Sequence, residues 1–168
     1  MSLEPVRVLF LCTGNSCRSQ MAEGLARWAG GSGPVDSYSE VTEAVSRLGR
    51  RGSRRRVESY SAGSLPRSVH PLAVRVMADI GIDISMQRSK PLDEFMEQRF
   101  DFVITVCDRA RESCPTLPTH REQIHWSVKD PAEATGTEAE VRKAFERARD
   151  ELQHRIRLWM LSHRISGR

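Results

Sequence analysis

Val8 to Ala22 reads VLFLCTGNSCRSQMA, and this stretch decides the fold. An apolar, partly β-branched run ends at Cys12, Arg18 follows six residues later, and a helix-forming stretch begins after it. Cys-x5-Arg describes a loop that holds a tetrahedral oxyanion against a thiolate. The backbone amides of Thr13, Gly14, Asn15, Ser16, Cys17 and Arg18 can turn inward, because Gly14 and Asn15 tolerate the strained or left-handed dihedrals of such a nest. A helix starting at about Cys17 adds its positive end, and Arg18 offers a planar fork to two oxygens. The same positive field is expected to lower the pKa of Cys12. A thiol near 8.5 is only about 3% thiolate at pH 7, so lowering it makes the sulfur reactive. Ser19 can donate a further hydrogen bond to that sulfur. Read instead as a buried structural cysteine beside a helix cap, the stretch leaves its glycine, its arginine and its two serines without a purpose.

With 168 residues, one domain around one core is the expectation for residues 1–168. The apolar run near the N-terminus is too short for a secretory segment, and no stretch is long enough to span a membrane, so a cytoplasmic protein is expected. Its four cysteines, Cys12, Cys17, Cys107 and Cys114, then start as thiols, and a disulfide among them is catalytic rather than structural. Their C-x4-C and C-x6-C spacings are not the C-x2-C pairs of a zinc knuckle, so no metal is expected. The net charge of +4 invites a nucleic-acid reading. Six arginines fall between Arg47 and Arg56, but no aromatics interleave with them and no recognition fold surrounds them. The run reads as a solvated loop, and the positive balance helps to steer an anion. Histidines 70, 120, 125, 154 and 163 read as structural or exposed, none with a catalytic role.

Along the chain, Val6 to Leu11 reads as a strand buried on both faces, and Cys17 to Ala29 as a helix. Gly30 to Arg56 is rich in Gly, Ser and Arg and reads as an insertion, with a weak helical pattern at Ser39 to Leu48. Further strands are expected at Val57 to Ser61, Phe102 to Val106 and Gln123 to Ser127. Helices are expected at Pro71 to Ile80, closed by Gly81, and briefly at Asp93 to Gln98. A long one runs from Thr137 to about Ser162, with Val141, Phe145, Ala148, Leu152 and Ile156 inward. Strands alternating with helices predict an α/β fold: a single-domain, open, parallel, four-stranded sheet flanked by helices. Ligands of such sheets bind beyond the carboxyl ends of the strands. Cys12 and Cys107 each follow a strand, so topology brings both thiols to one rim.

CTGNSCRSQMAEG resembles the signature loop of the low-molecular-weight tyrosine phosphatase fold, which is flavodoxin-related, and in particular of its thioredoxin-coupled arsenate reductase branch. The resemblance continues through YSAG (Tyr60 to Gly63), GIDIS (Gly81 to Ser85), VITVCDRARESCP (Val103 to Pro115), His125-Trp126 and DPAEATGTE (Asp130 to Glu138). It implies that Asp130, in its Asp-Pro pair, is the general acid. The phosphatase branch follows that pair with a tyrosine that stacks on an aryl substrate, whereas this chain has Ala132 and Glu133. The departure favours a small inorganic anion. Some members of the family bind potassium beneath the loop through an Asn, a Glu, a Ser and an Asp. The matching positions here are Asn15, Glu23, Ser61 and, in place of the Asp, Lys90. An ammonium beside Glu23 would repel a second cation by about 4 kcal/mol at 4 Å and an effective dielectric of 20.

A phosphatase needs one thiolate, whereas reducing arsenate to arsenite consumes two electrons that a dithiol supplies. Cys107 and Cys114 are the thiols in excess of a phosphatase's needs. The expected reaction is arsenate reduction, with Cys12, Arg18, Cys107, Cys114 and Asp130 catalytic. The oxyanion would lie on residues Thr13 to Ser19, supported from below by Asn15, Glu23, Ser61 and Lys90. No bound cofactor is expected, and thioredoxin is the external reductant that the resemblance implies. The partners expected are arsenate, with phosphate or sulfate competing, and thioredoxin; no nucleic acid, no membrane and a monomer. A tyrosine phosphatase acting on phosphoproteins is the alternative, and a non-enzymatic thiol sensor or basic binding module a third reading.

Overall fold

The computed structural model describes residues 4–31, 56–113, 117 and 119–165. The basic insertion, apart from its ends, and the short helix expected within it lie outside the described residues, as does Cys114.

In chain order the elements are β1 (Val6–Cys12), α1 (Arg18–Ala29), β2 (Val57–Gly63), α2 (Pro71–Ala78), a 3-10 turn (Leu92–Phe95), β3 (Phe100–Thr105), α3 (Asp108–Ser113), β4 (Thr119–His125), a second 3-10 turn (Pro131–Glu133) and α4 (Glu138–Ser162). The strands form one parallel sheet in the order β2-β1-β3-β4. This is the open four-stranded sheet that the alternation of patterns predicts. Several boundaries differ from expectation. β4 begins at Thr119 and ends at His125, where Gln123 to Ser127 was the expected span. Its early half, Thr119 to Glu122, is polar, because an edge strand can be held by its backbone ladder without an apolar signature. The turn expected as a helix at Asp93 to Gln98 closes as a 3-10 turn, Leu92–Phe95.

β1 is central and apolar on both sides. Val6, Val8, Phe10 and Cys12 face one core with Met21, Leu25, Phe145 and Leu152 of the helices; Leu9 and Leu11 face a second with Ala62, Phe95, Val103 and Leu117. Successive strand residues point to opposite faces, so an uninterrupted apolar run fits only a strand covered twice. A register shift between Phe100 and Phe102 lets both point inward on opposite sides: Phe100 packs in the second core and Phe102 in the first.

α2 starts at Pro71, with His70 Nδ1 accepting from the Leu72 amide at 3.1 Å. It closes through Gly81 at φ +75°: the Gly81 amide bonds the Ala78 carbonyl and the Ile82 amide bonds that of Met77, a Schellman ending. α4 opens on a reciprocal capping box between Thr137 and Glu140. Its inner stripe is Phe145, Ala148, Leu152, Ile156, Trp159 and Met160, with Val141 half-buried. Among the described residues no helix is long and apolar enough to cross a membrane.

Candidate active site

All four strands end at the same rim. Cys12 closes β1 and pairs in register with Gly63 at the end of β2; Cys107 follows β3, and Asp130 follows β4. Between Cys12 and α1 the loop turns at Asn15, in left-handed backbone at φ +44°. Its outer side is tied to the segment after β2. The amides of Leu65, Arg67 and His70 donate to the carbonyls of Thr13, Gly14 and Ser16 at 2.9, 2.8 and 2.8 Å. In a trans peptide the amide points opposite to its carbonyl, so this ladder turns the amides of Gly14, Asn15 and Cys17 inward. The Asn15 amide does reach Cys12 Sγ, at 3.1 Å.

Asn15 is buried, and its side chain organises everything below the loop. Nδ2 donates to Ser19 Oγ at 2.8 Å and Ser61 Oγ at 2.9 Å, while Oδ1 accepts from Gln20 Nε2 and the Lys90 amide. Ser19 Oγ, with its own proton free to donate, lies 2.8 Å from Cys12 Sγ. Ser61 Oγ bonds Glu23 Oε2, which also takes Lys90 Nζ at 3.3 Å. Lys90 Nζ further donates to the Arg88 carbonyl at 2.9 Å. Glu23 and Lys90 are both buried. The four expected support residues thus form one network, in which the position beside Glu23 is held by an ammonium rather than offered to another cation. Gln20 and Ser89 belong to the same brace, since both donate to the Asn15 carbonyl. Their sequence context carries no signal for this.

Arg18 does not present its fork to the loop as expected. Nη1 donates to the Val128 carbonyl at 2.8 Å and Nη2 to Asp130 Oδ2 at 2.6 Å. The guanidinium has found a carboxylate, the strongest partner within reach. Its Nε is buried without a hydrogen-bond partner among the described residues.

The expected lowering of the Cys12 pKa is also corrected. Burial pushes this thiol above its ordinary value, and the nearby Cys107 adds to the rise. Hydrogen bonding by Ser19 and, more weakly, the charge of Arg18 act the other way. Desolvation is the largest of these effects and decides the direction. Burial, then the charge of Asp130, push Cys17 up to about 12. Its Sγ faces Asp130 Oδ1 at 3.7 Å, and it stays a thiol.

Cys107 is buried at the rim. Its Sγ lies 3.6 Å from Thr13 Oγ1 and accepts from the Ala110 amide, in the first turn of α3, at 3.3 Å. A second thiol therefore stands beside the oxyanion loop, while Cys114 lies outside the described residues.

One functional position lies in the YSAG motif but has no side chain to announce it. A Cβ on Gly63 would stand 2.5 Å from the Thr13 carbonyl oxygen and 2.8 Å from the Asn15 amide nitrogen. Both are backbone atoms that can yield only by moving the loop. Overpacking of this kind costs roughly 1–3 kcal/mol. Gly63→Ala is therefore expected to lower the melting temperature and to weaken phosphate binding at least about tenfold by calorimetry. Unchanged phosphate affinity would show that the loop does not need this close approach.

Residues 7–44 and 37–166 match the family model described as low molecular weight phosphotyrosine protein phosphatase. The chain belongs to this family. Within it, the chain is 41% identical over 150 residues to an arsenate reductase of Halalkalibacterium halodurans, covering 89% of this chain and 91% of that protein. It is 39% identical over 150 residues to an arsenate reductase of Bacillus subtilis, with the same coverage of 89% and 91%. Among solved structures, an arsenate reductase in the phosphate-binding state superposes with a TM-score of 0.64 at 27% identity, covering 94% of this chain and 98% of that one. A thioredoxin-dependent arsenate reductase of Corynebacterium glutamicum superposes with a TM-score of 0.56 at 28% identity, covering 94% of this chain and 65% of that one.

Proposed function

We propose that this member of the family reduces arsenate to arsenite through a relay of Cys12, Cys107 and Cys114 that thioredoxin regenerates. The observation that carries the reading is the second thiol: Cys107 Sγ sits against Thr13 of the oxyanion loop, where a phosphatase needs none. The 3-10 turn after Asp130, Pro131–Glu133, offers no aromatic platform for a phosphotyrosine.

Arsenate enters the loop and replaces Asp130 at Arg18, since two anions compete for one guanidinium. The displaced Asp130 carboxylate takes up the proton that Cys12 releases on becoming a thiolate and passes it to the leaving oxygen. Cys12 sulfur bonds to arsenic, and water departs with the proton from Asp130. Cys107 sulfur attacks Cys12 sulfur; the arsenic–sulfur bond breaks, its electron pair stays on arsenic, and arsenite leaves. Cys114 then attacks Cys107, forming the Cys107–Cys114 disulfide and returning Cys12 as thiolate. The dithiol of thioredoxin supplies two electrons and two protons to close the cycle. The test is NADPH consumption with thioredoxin and thioredoxin reductase, started by arsenate. Arsenate-dependent oxidation is expected. Its absence, together with steady release of phenol from an aryl phosphate at a rate untouched by Cys107→Ser, would establish the phosphatase instead.

The Lys90–Glu23 contact takes the place of a potassium ion under the loop. Melting temperature and activity are therefore expected to be the same in potassium as in matched sodium or lithium salts. A marked rise of the melting temperature in potassium alone would overturn the assignment.

A further inference from the structure

Asp108 opens α3 directly after Cys107, and its carboxylate is held from outside the helix. Oδ1 accepts from His125 Nε2 at 2.9 Å, and Oδ2 accepts from Ser127 Oγ at 3.2 Å. A neutral His125 that donates through Nε2 has its lone pair on Nδ1, which accepts the hydroxyl of Thr105 at 2.8 Å. A continuous path of hydrogen bonds thus runs from buried Thr105 on β3, through the end of β4, to the first residue of α3. The reaction proposed above uses none of these groups. They are anchored where the relay must move. Exposed carboxylates at a helix start ordinarily turn freely in water, but this one is tied to two donors from outside its own element. Those two bonds hold its carboxyl below the usual carboxylate range.

We infer that His125 and Asp108 clamp the first turn of the relay helix, stabilising the dithiol form and thereby setting the potential of the Cys107–Cys114 couple. The inference rests on the proposed relay. A disulfide needs Cα atoms within about 7 Å, whereas the six helical residues of α3 between the two cysteines rise by roughly 9 Å. Forming the bond therefore unwinds α3 and carries Asp108 away from β4. The clamp exists in the dithiol form and is broken in the disulfide form, so its free energy enters the redox equilibrium directly. A residue that only supported the fold would stabilise both forms alike and leave the potential unchanged. His125 and Asp108 are positioning residues here, touching neither substrate nor reacting sulfur.

The test uses the full chain in a Cys12→Ser background, which isolates the Cys107–Cys114 couple, equilibrated against a graded dithiol/disulfide buffer. Asp108→Ala and His125→Ala are each expected to favour the disulfide about tenfold, a potential about 30 mV more negative. Because the His125–Asp108 contact is lost in both, the double variant is expected to shift no further than Asp108→Ala, which also removes the Ser127 contact. Hydrogen exchange of the α3 amides should rise in the reduced single variants only. Potentials indistinguishable from the parent overturn the clamp, and so does an equal fall in melting temperature of both redox forms with no change in potential. Peptide mapping of the oxidised protein separates this from failure of the relay itself. A mapped Cys107–Cys114 disulfide with unshifted potentials overturns the clamp alone, whereas no such disulfide overturns the relay and the clamp together.

Discussion

Cys12→Ser is expected to abolish thioredoxin-linked arsenate reduction, by at least about a thousandfold in kcat/KM, while leaving phosphate binding and the fold in place. The sulfur of Cys12 is the meeting point of the site: the Asn15 amide at 3.1 Å and Ser19 Oγ at 2.8 Å both converge on it. A serine hydroxyl fits the same space and accepts the same donors, so the loop should still close around an anion. What is lost is nucleophilicity, because an alcohol at neutral pH attacks far more weakly than a thiolate, and it cannot pass electrons into a disulfide. Burial makes the effect sharper. A group that must lose its proton in a desolvated site depends on Ser19 and the loop amides to stabilise the charge. Cys17→Ser, by contrast, is expected to retain most of the turnover, since the Cys17 thiol is pushed up to about 12 and does not ionise at neutral pH. The NADPH-coupled assay reads both variants. Turnover of Cys12→Ser above about 1% of the parent would mean that another sulfur is the nucleophile.

What the sequence revealed about this site follows from how local each feature is. The oxyanion loop was legible because its shape depends on neighbours: Asn15 takes the expected left-handed backbone and α1 starts at Arg18, whereas Gly14, expected to share that freedom, does not use left-handed backbone. Cys107 was legible because parallel topology sends every strand end to one rim, whatever the length of chain between them. The partner of Arg18 was not. Its pairing with Asp130 spans 112 residues, and it is decided by which acceptor reaches a buried guanidinium. No periodicity or spacing encodes that competition. The direction of the Cys12 shift failed because it depends on burial, which no local motif encodes. Gly63 was quoted as part of a motif without its reason, which lies in a backbone approach measured across two strands. Of β4, only Gln123 to His125 falls within the expected strand; Thr119 to Glu122 carry no apolar residue to mark them.

Cys114→Ser is expected to turn the enzyme into a single-turnover reagent: one arsenite released per chain, then no further reduction with thioredoxin. Cys12 and Cys107 lie at one rim, so the first two sulfur transfers need no third cysteine. Without Cys114 the oxidation has nowhere to go, and the chain accumulates as the Cys12–Cys107 disulfide within the buried rim, out of reach of a protein dithiol. Rapid-quench counting of arsenite gives the stoichiometry, and peptide mapping identifies the trapped bond. Sustained turnover with thioredoxin alone would sink the relay. The proposed relay requires the chain to rearrange in each cycle, because the six helical residues of α3 between the two cysteines rise by roughly 9 Å and a disulfide needs Cα atoms within about 7 Å. Unwinding also lifts the new disulfide from the buried rim toward solvent, where a partner's thiolate can attack it. Hydrogen exchange on the reduced and oxidised forms reads this step directly. The amides of α3 should be protected when Cys107 is a thiol and exchange freely once Cys107 and Cys114 are joined; equal protection in both forms would mean that the oxidation leaves the rim by another route.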